Sequence, residues 1–175
     1  VKVYPHQSLG RLMERHDIVF IGSHPMAGSE RSGFTAADAD LFVDAACILT
    51  NEHQHPESLV ALLGEFWAKL GAAVSVMGAE EHDRLVGRIS HLPHVLSTVC
   101  ALSALKNLED GRYSGQGLRD TSRVAGGEPS MWAEILLQNR AQIAGPLREA
   151  AQELSKIAEH LDNEDRRAIL EALRS

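Results

Sequence analysis

"AEEHDRLVGRISHLPHVLSTVCALSALKN", residues 79–107, decides the fold. Its helical spacing is interrupted only by Pro93, and its middle, from Leu85 through Ile89, Leu92 and Leu96 to Leu102, is apolar nearly all round. A helix of that kind is buried on several sides, in a large core or against a partner chain. Nothing before residue 79 reads this way. Short apolar runs at 17–22, 45–50 and 72–77 have strand length, and 56–70 is an amphipathic helix with Leu59, Leu62, Leu63, Phe66 and Leu70 on one side, closed by Gly71. Strands separated by a helix predict a partly parallel sheet.

Beyond residue 107 the pattern stays helical. A glycine-rich loop is expected over 111–127, and Pro129 then opens a helix to 143. Further helices are expected at 144–161 and, with Asn163 as N-cap, at 164–173. The fold class is therefore α+β and mostly α. A partial α/β unit occupies 1–78, and an all-helical domain occupies 79–175.

The net charge of −7, with no Lys/Arg cluster to offset it, argues against a nucleic-acid partner. A small anionic ligand is still compatible, because one fixed arginine can hold a carboxylate whatever the global charge. Cys47 and Cys100 are far apart and sit in no motif, which fits a reducing, cytoplasmic setting. No run is long and apolar enough to span a membrane, so no membrane partner is expected. The chain opens at Val1 in mid-pattern and is expected to be part of a longer one.

Three clusters carry the candidate chemistry. "GSHPMAGSERSG", residues 22–33, is too small and polar to pack a core, and it puts His24 just past the C-terminal end of the expected first strand. Ligands of open α/β sheets bind in that crevice, and a neutral imidazole accepts a proton near pH 7. "SHLPH", residues 90–94, sets polar side chains inside the apolar helix, with Ser90 and His94 four apart on one face. Each is costly there unless partnered, and satisfied core histidines are the competing reading. No metal is expected, since no H-E-x-x-H arrangement accompanies His82, His91 and His94. "GLRDTSRVAGGEPSMW", residues 117–132, holds Arg119 and Arg123 beside a helix start. Either suits a carboxylate clamp, and for Arg119 a surface pair with Asp120 or Glu128 is favoured.

Taken in order, "HPMAGSERSG", "HDRLVGRISHLPH" and "GLRDTSRVAGGEPSMWAEI" resemble the prephenate dehydrogenase family, which makes tyrosine precursors. The resemblance implies a Rossmann-type domain followed by a helical dimerisation domain, and hence a homodimer. It implies oxidative decarboxylation of prephenate (or of arogenate) with NAD or NADP. His24 matches the family's catalytic histidine, Ser90 and His94 match substrate-pocket positions, and Arg123 matches the arginine on a substrate carboxylate. His91 and Arg119 keep structural roles.

One departure is large: no G-x-G-x-x-G occurs, and Gly115-Gln116-Gly117 runs on into Leu-Arg-Asp. The opening Val1-Lys2 resembles the residues just after a family serine. The pyrophosphate-binding βαβ unit, the acidic ribose reader and that serine are therefore expected outside these residues, and the 175 residues alone are expected to be inactive. The alternative is a nucleotide-free dimerising or ligand-sensing remnant of the family.

Overall fold

The computed structural model describes residues 1–28 and 33–174, so residues 29–32 of the "HPMAGSERSG" motif lie outside it. Helix α1 (Val3–His16), which no expected element covered, comes first. Arg15 and His16 favour its C-terminal dipole, and Asp17 ends it in the left-handed region at φ 52°.

Strand β1 (Gly22–Pro25) lies later than the expected 17–22. The apolar run before it spends its residues otherwise. Ile18 and Val19 are half exposed, Phe20 packs its ring edge on His6, and the Phe20 amide donates to His55 Nε2 at 3.2 Å. His24 is consequently inside the strand, opposite Ile48, and not beyond its end.

The sheet order is β1-β2-β3. β2 (Ala46–Thr50) pairs antiparallel with β1 and parallel with β3 (Ala73–Val76), close to the expected second and third strands. Helix α2 (Glu57–Lys69) makes the crossover, packing Val60, Leu63 and Trp67 on Cys47, Leu49 and Ala72. This face is rotated from the expected one, for Leu62 and Phe66 are exposed. The helix carries two adjoining apolar stripes, and the sheet takes the one bearing the larger Trp67, which also meets Phe42 edge-on. Gly71 ends the crossover at φ 91°, where a side chain would be strained and would crowd Val43.

The long helical stretch is three pieces: α3 (Ala79–Val86), a π-helical segment (Gly87–His91) and α4 (Leu92–Ala104). Pro93 explains the break. It has no N–H for the Ile89 carbonyl, and the Leu92 amide reaches five residues back to Gly87. The expected loop at 111–127 contains a two-turn helix, α5 (Gln116–Arg123). Asn139 divides the next helical region into α6 (Pro129–Gln138) and α7 (Arg140–Asp162), earlier than the expected boundary. The last helix, α8 (Arg166–Ala172), is capped by Asp165, whose carboxylate accepts from the Ala168 amide, and not by Asn163. Cys47 and Cys100 are free thiols, and among the described residues no helix is long and apolar enough to cross a membrane.

Candidate active site

Helix α3 begins directly after β3, and Glu52, from the turn after β2, caps it by accepting the Ala79 amide at 2.5 Å. Its buried face presents His82 and Asp83 to β1 and α1, both essentially inaccessible to solvent. His24 Nδ1 is 2.7 Å from His82 Nε2, and His82 Nδ1 is 2.8 Å from Asp83 Oδ1. The Asp83 carboxylate also accepts the Lys2 amide at 2.6 Å and the Val3 amide at 2.9 Å, closing the N-terminus of α1. Lys2 Nζ donates to the Ser23 carbonyl at 2.6 Å, one residue before His24. A carboxylate, two imidazoles and a helix N-terminus thus form one connected set.

The π-helical segment packs on α7 and brings His91 to Asn139 at its start. Gly87 faces α7 closely, and a Cβ there would lie 3.4 Å from the Gln142 carbonyl, at van der Waals contact. Asn139 Nδ2 donates to the Asp83 carbonyl at 2.8 Å and lies 3.0 Å from His91 Nδ1. His91 is therefore a satisfied core histidine, as expected. His94 lies flat on Trp132, with ring centroids 3.5 Å apart and planes 7° apart. Its Nδ1 is buried without a hydrogen-bond partner among the described residues. Beside this stack is a cavity of about 310 Å³ lined by His94, Thr98, Ala125, Gly127, Trp132 and Leu136. The hydroxyl of Ser97 bonds the Thr121 carbonyl and ties α4 to α5.

Of the expected site residues, His24 lies in the carboxylate–imidazole set and His94 lines the cavity. Ser90 is half-buried in the π-helical segment. Arg123 is exposed at the C-terminus of α5, just before the turn 124–126 that packs on α4. Arg119 is exposed, and its two expected partners are engaged elsewhere: Asp120 with Gln116, and Glu128 with the start of α6. Sequence reasoning missed His82 as a partner of His24, and it missed Asp83, Trp132 and Asn139 altogether. The adjacent His-Asp pair at the start of a helix was the available signal.

Burial, with His82 and Lys2 nearby, pushes the His24 imidazole down to about 4. Burial takes His91 to about 4 as well and lowers His6 and His94. Burial alone would raise Asp83, but hydrogen bonds from His82, Val3 and Lys2 hold it below the usual carboxylate value. At neutral pH His24 is an uncharged acceptor.

These histidines are buried neutral and take up protons on unfolding below their ordinary value near 6.5. Their contribution to stability is complete above about 6.5 and is lost as the pH falls toward 4. The expected result is a thermal midpoint, read by circular dichroism, that declines steadily over that interval. A flat midpoint would contradict it.

A dinucleotide cradle needs a glycine-rich turn between a strand and a helix N-terminus. The strand–glycine–helix junction at Gly78 offers one glycine, and Glu52 already occupies that helix N-terminus. Gly115 precedes α5 and Gly117 lies in its first turn, but neither follows a strand, and a Cβ on either would meet nothing within 4 Å. The described residues do not form a pyrophosphate-binding turn.

Residues 78–175 match the family described as "Prephenate dehydrogenase, dimerization domain", and residues 1–76 match "Prephenate dehydrogenase, nucleotide-binding domain". The chain is 32% identical to a cyclohexadienyl dehydrogenase of Zymomonas mobilis, over 98% of this chain and 59% of that protein. It is 37% identical to a prephenate dehydrogenase of Bacillus subtilis, over 83% of this chain and 40% of that one. Among solved structures, a Synechocystis arogenate dehydrogenase superposes with a TM-score of 0.76 at 29% identity, covering 99% of this chain and 63% of that one. Prephenate dehydrogenase from Aquifex aeolicus, in complex with hydroxyphenyl propionate and NAD+, superposes with a TM-score of 0.77 at 28% identity, covering 89% of this chain and 56% of that one. The chain thus spans about 59% and 40% of the first two relatives' lengths.

Proposed function

Because the chain belongs to the prephenate dehydrogenase family, we propose that it carries the general base and substrate pocket of an NAD(P)-dependent dehydrogenase that oxidatively decarboxylates prephenate or arogenate. Residues 1–78 belong to the nucleotide-binding unit, and residues 79–175 form the substrate-binding and dimerisation unit. Residues outside these 175 complete the dinucleotide site in the intact protein. Prephenate as substrate gives 4-hydroxyphenylpyruvate.

The observation that carries the reading is His24, a half-buried, uncharged imidazole held from behind by His82 at 2.7 Å. A base in that state takes the proton of the substrate's ring C4 hydroxyl. Oxidised nicotinamide, when bound, supplies the acceptor for the hydride from C4. The ring carboxylate is lost as CO2, the electron pair of its broken bond completes the aromatic ring, and the C4 oxygen, now a phenolate, takes back the proton held by His24. Arg123 binds a substrate carboxylate through paired N–H donors. Ser90 and His94 contribute polar contacts from the long helix, with His94 held flat by Trp132.

The same reading includes a homodimer. Val99 on α4 and Leu154 on α7 are about half exposed and border an apolar groove of about 690 Å³, and Leu102 on α4 is 70% exposed. A second copy covering this face accounts for the apolar character of residues 79–107.

A substrate-by-cofactor matrix on the intact protein tests the function. Reduced nicotinamide is expected to accumulate with prephenate or arogenate in at least one combination. The 175 residues alone are expected to give none, since they hold no G-x-G-x-x-G. No oxidation by the intact protein in any combination would leave the ligand-sensing alternative.

A further inference from the structure

We propose that His82 and Asp83 are positioning residues for His24, fixing it as the tautomer whose Nε2 is free to take a proton and receiving the charge that follows. This rests on the reading of His24 as the base. An ionised carboxylate can only accept hydrogen bonds. The Asp83 carboxylate is locked by the Lys2 and Val3 amides, whatever its neighbouring histidine does. The hydrogen of the contact between His82 Nδ1 and Asp83 Oδ1 must therefore sit on Nδ1.

In a neutral His82 ring that leaves a lone pair on Nε2. The group facing it at 2.7 Å is His24 Nδ1, which must then be the donor. The lone pair of His24 is thereby left on Nε2, pointing away from His82. His82 is fully buried, so no solvent molecule supplies an alternative partner. When His24 Nε2 accepts the substrate's proton, its Nδ1–H already points at His82, with the Asp83 charge directly behind. No further proton has to enter or leave.

Helix α3 is held to make this geometry. Glu52 caps its first turn, and Asn139 fixes the Asp83 carbonyl. His24 comes from the sheet and His82 from the helical region, so the contact also aligns the two.

The test is the protonation pattern of the ring nitrogens, read by nitrogen-15 NMR on the histidine-labelled chain at neutral pH, beside kinetics of the intact protein. In the unaltered chain His24 is expected to be protonated on Nδ1 and bare on Nε2. In Asp83→Asn the negative charge is lost and one NH2 replaces an oxygen, where Oδ1 had served both the Lys2 amide and His82 and Oδ2 the Val3 amide. The hold on the His82 Nδ1 proton is then weakened, and His24 is expected to lose its single tautomer and become protonated on Nε2 in part of the population. Turnover should fall roughly 100- to 10,000-fold with KM nearly unchanged. Asp83→Glu restores the carboxylate and is expected to return the original tautomer and most of the turnover. His24 protonated on Nε2 in an unaltered, active protein would overturn the proposal, even if Asp83→Asn does not fold. So would an Asp83→Asn variant with unchanged tautomer and turnover. A bare Nε2 in an intact protein that oxidises neither substrate would instead overturn the dehydrogenase reading and leave the tautomer assignment standing.

Discussion

His24→Asn in the intact protein is expected to lower turnover by roughly 100- to 10,000-fold, with little change in substrate KM. Asparagine is close to histidine in size, and its amide can still donate to His82 Nε2, so the contact at 2.7 Å is replaced and not abandoned. What disappears is the acceptor for the hydroxyl proton. That proton moves only as the transition state forms, so its loss falls on turnover. Steady-state kinetics with saturating cofactor measures the split, and a thermal midpoint near that of the unaltered protein shows that the fold is kept. A rise in KM with unchanged turnover would mean that His24 binds substrate and is not the base.

Arg123→Ala is expected to do the reverse, raising KM roughly 10- to 100-fold with turnover largely retained. A hydrogen bond to a charged group contributes about 1.5–3 kcal/mol, and each 1.4 kcal/mol is about tenfold in binding. The substrate carboxylate it would hold is present in both ground and transition states, so the interaction is uniform binding. Arg123 is exposed in the last turn of α5, where truncation leaves no cavity. The same kinetic series reads the effect. If turnover collapsed instead, the roles of His24 and Arg123 would have been exchanged.

The parts of the fold legible in the sequence are those governed by neighbours along the chain. Strands β2 and β3 and helix α2 lie between clear turn signals, with Gly71 closing the crossover. Elements fixed by distant contacts were not legible. Gly22–Pro25 becomes a strand because buried Cys47, Ile48 and Leu49 need a partner, whereas the more apolar run before it is drawn to His6 and His55. Helix α5 has no apolar stripe and is fastened by the Ser97 hydroxyl of α4.

His24 was found through its motif, but the set behind it was not. "EEHDR" reads as a solvated face, yet His82 and Asp83 are buried because β1 and α1 return to cover them. Their partners are 58 and 80 or more residues away, a separation that no local pattern records.

The π-helical segment has a consequence for how this stretch tolerates change. The buried positions Ala79, His82, Asp83, Val86, Gly87, His91, His94 and Ser97 keep helical spacing, and in an unbroken α-helix they would line up toward one neighbour. The wide turn at 87–91 absorbs one residue's worth of rotation, about 100°. The same stripe therefore meets His24 and α1 with its first half, and Trp132 and Thr121 with its second. The segment behaves as an insertion retained inside a helix. Regular winding with every residue kept would turn His94 about 100° round the axis and off Trp132, whereas deleting one residue the site does not use, Arg88 or Ile89, would restore regular winding and leave His94 on Trp132. For this helix, the wide turn between the two histidine clusters matters as much as residue identity.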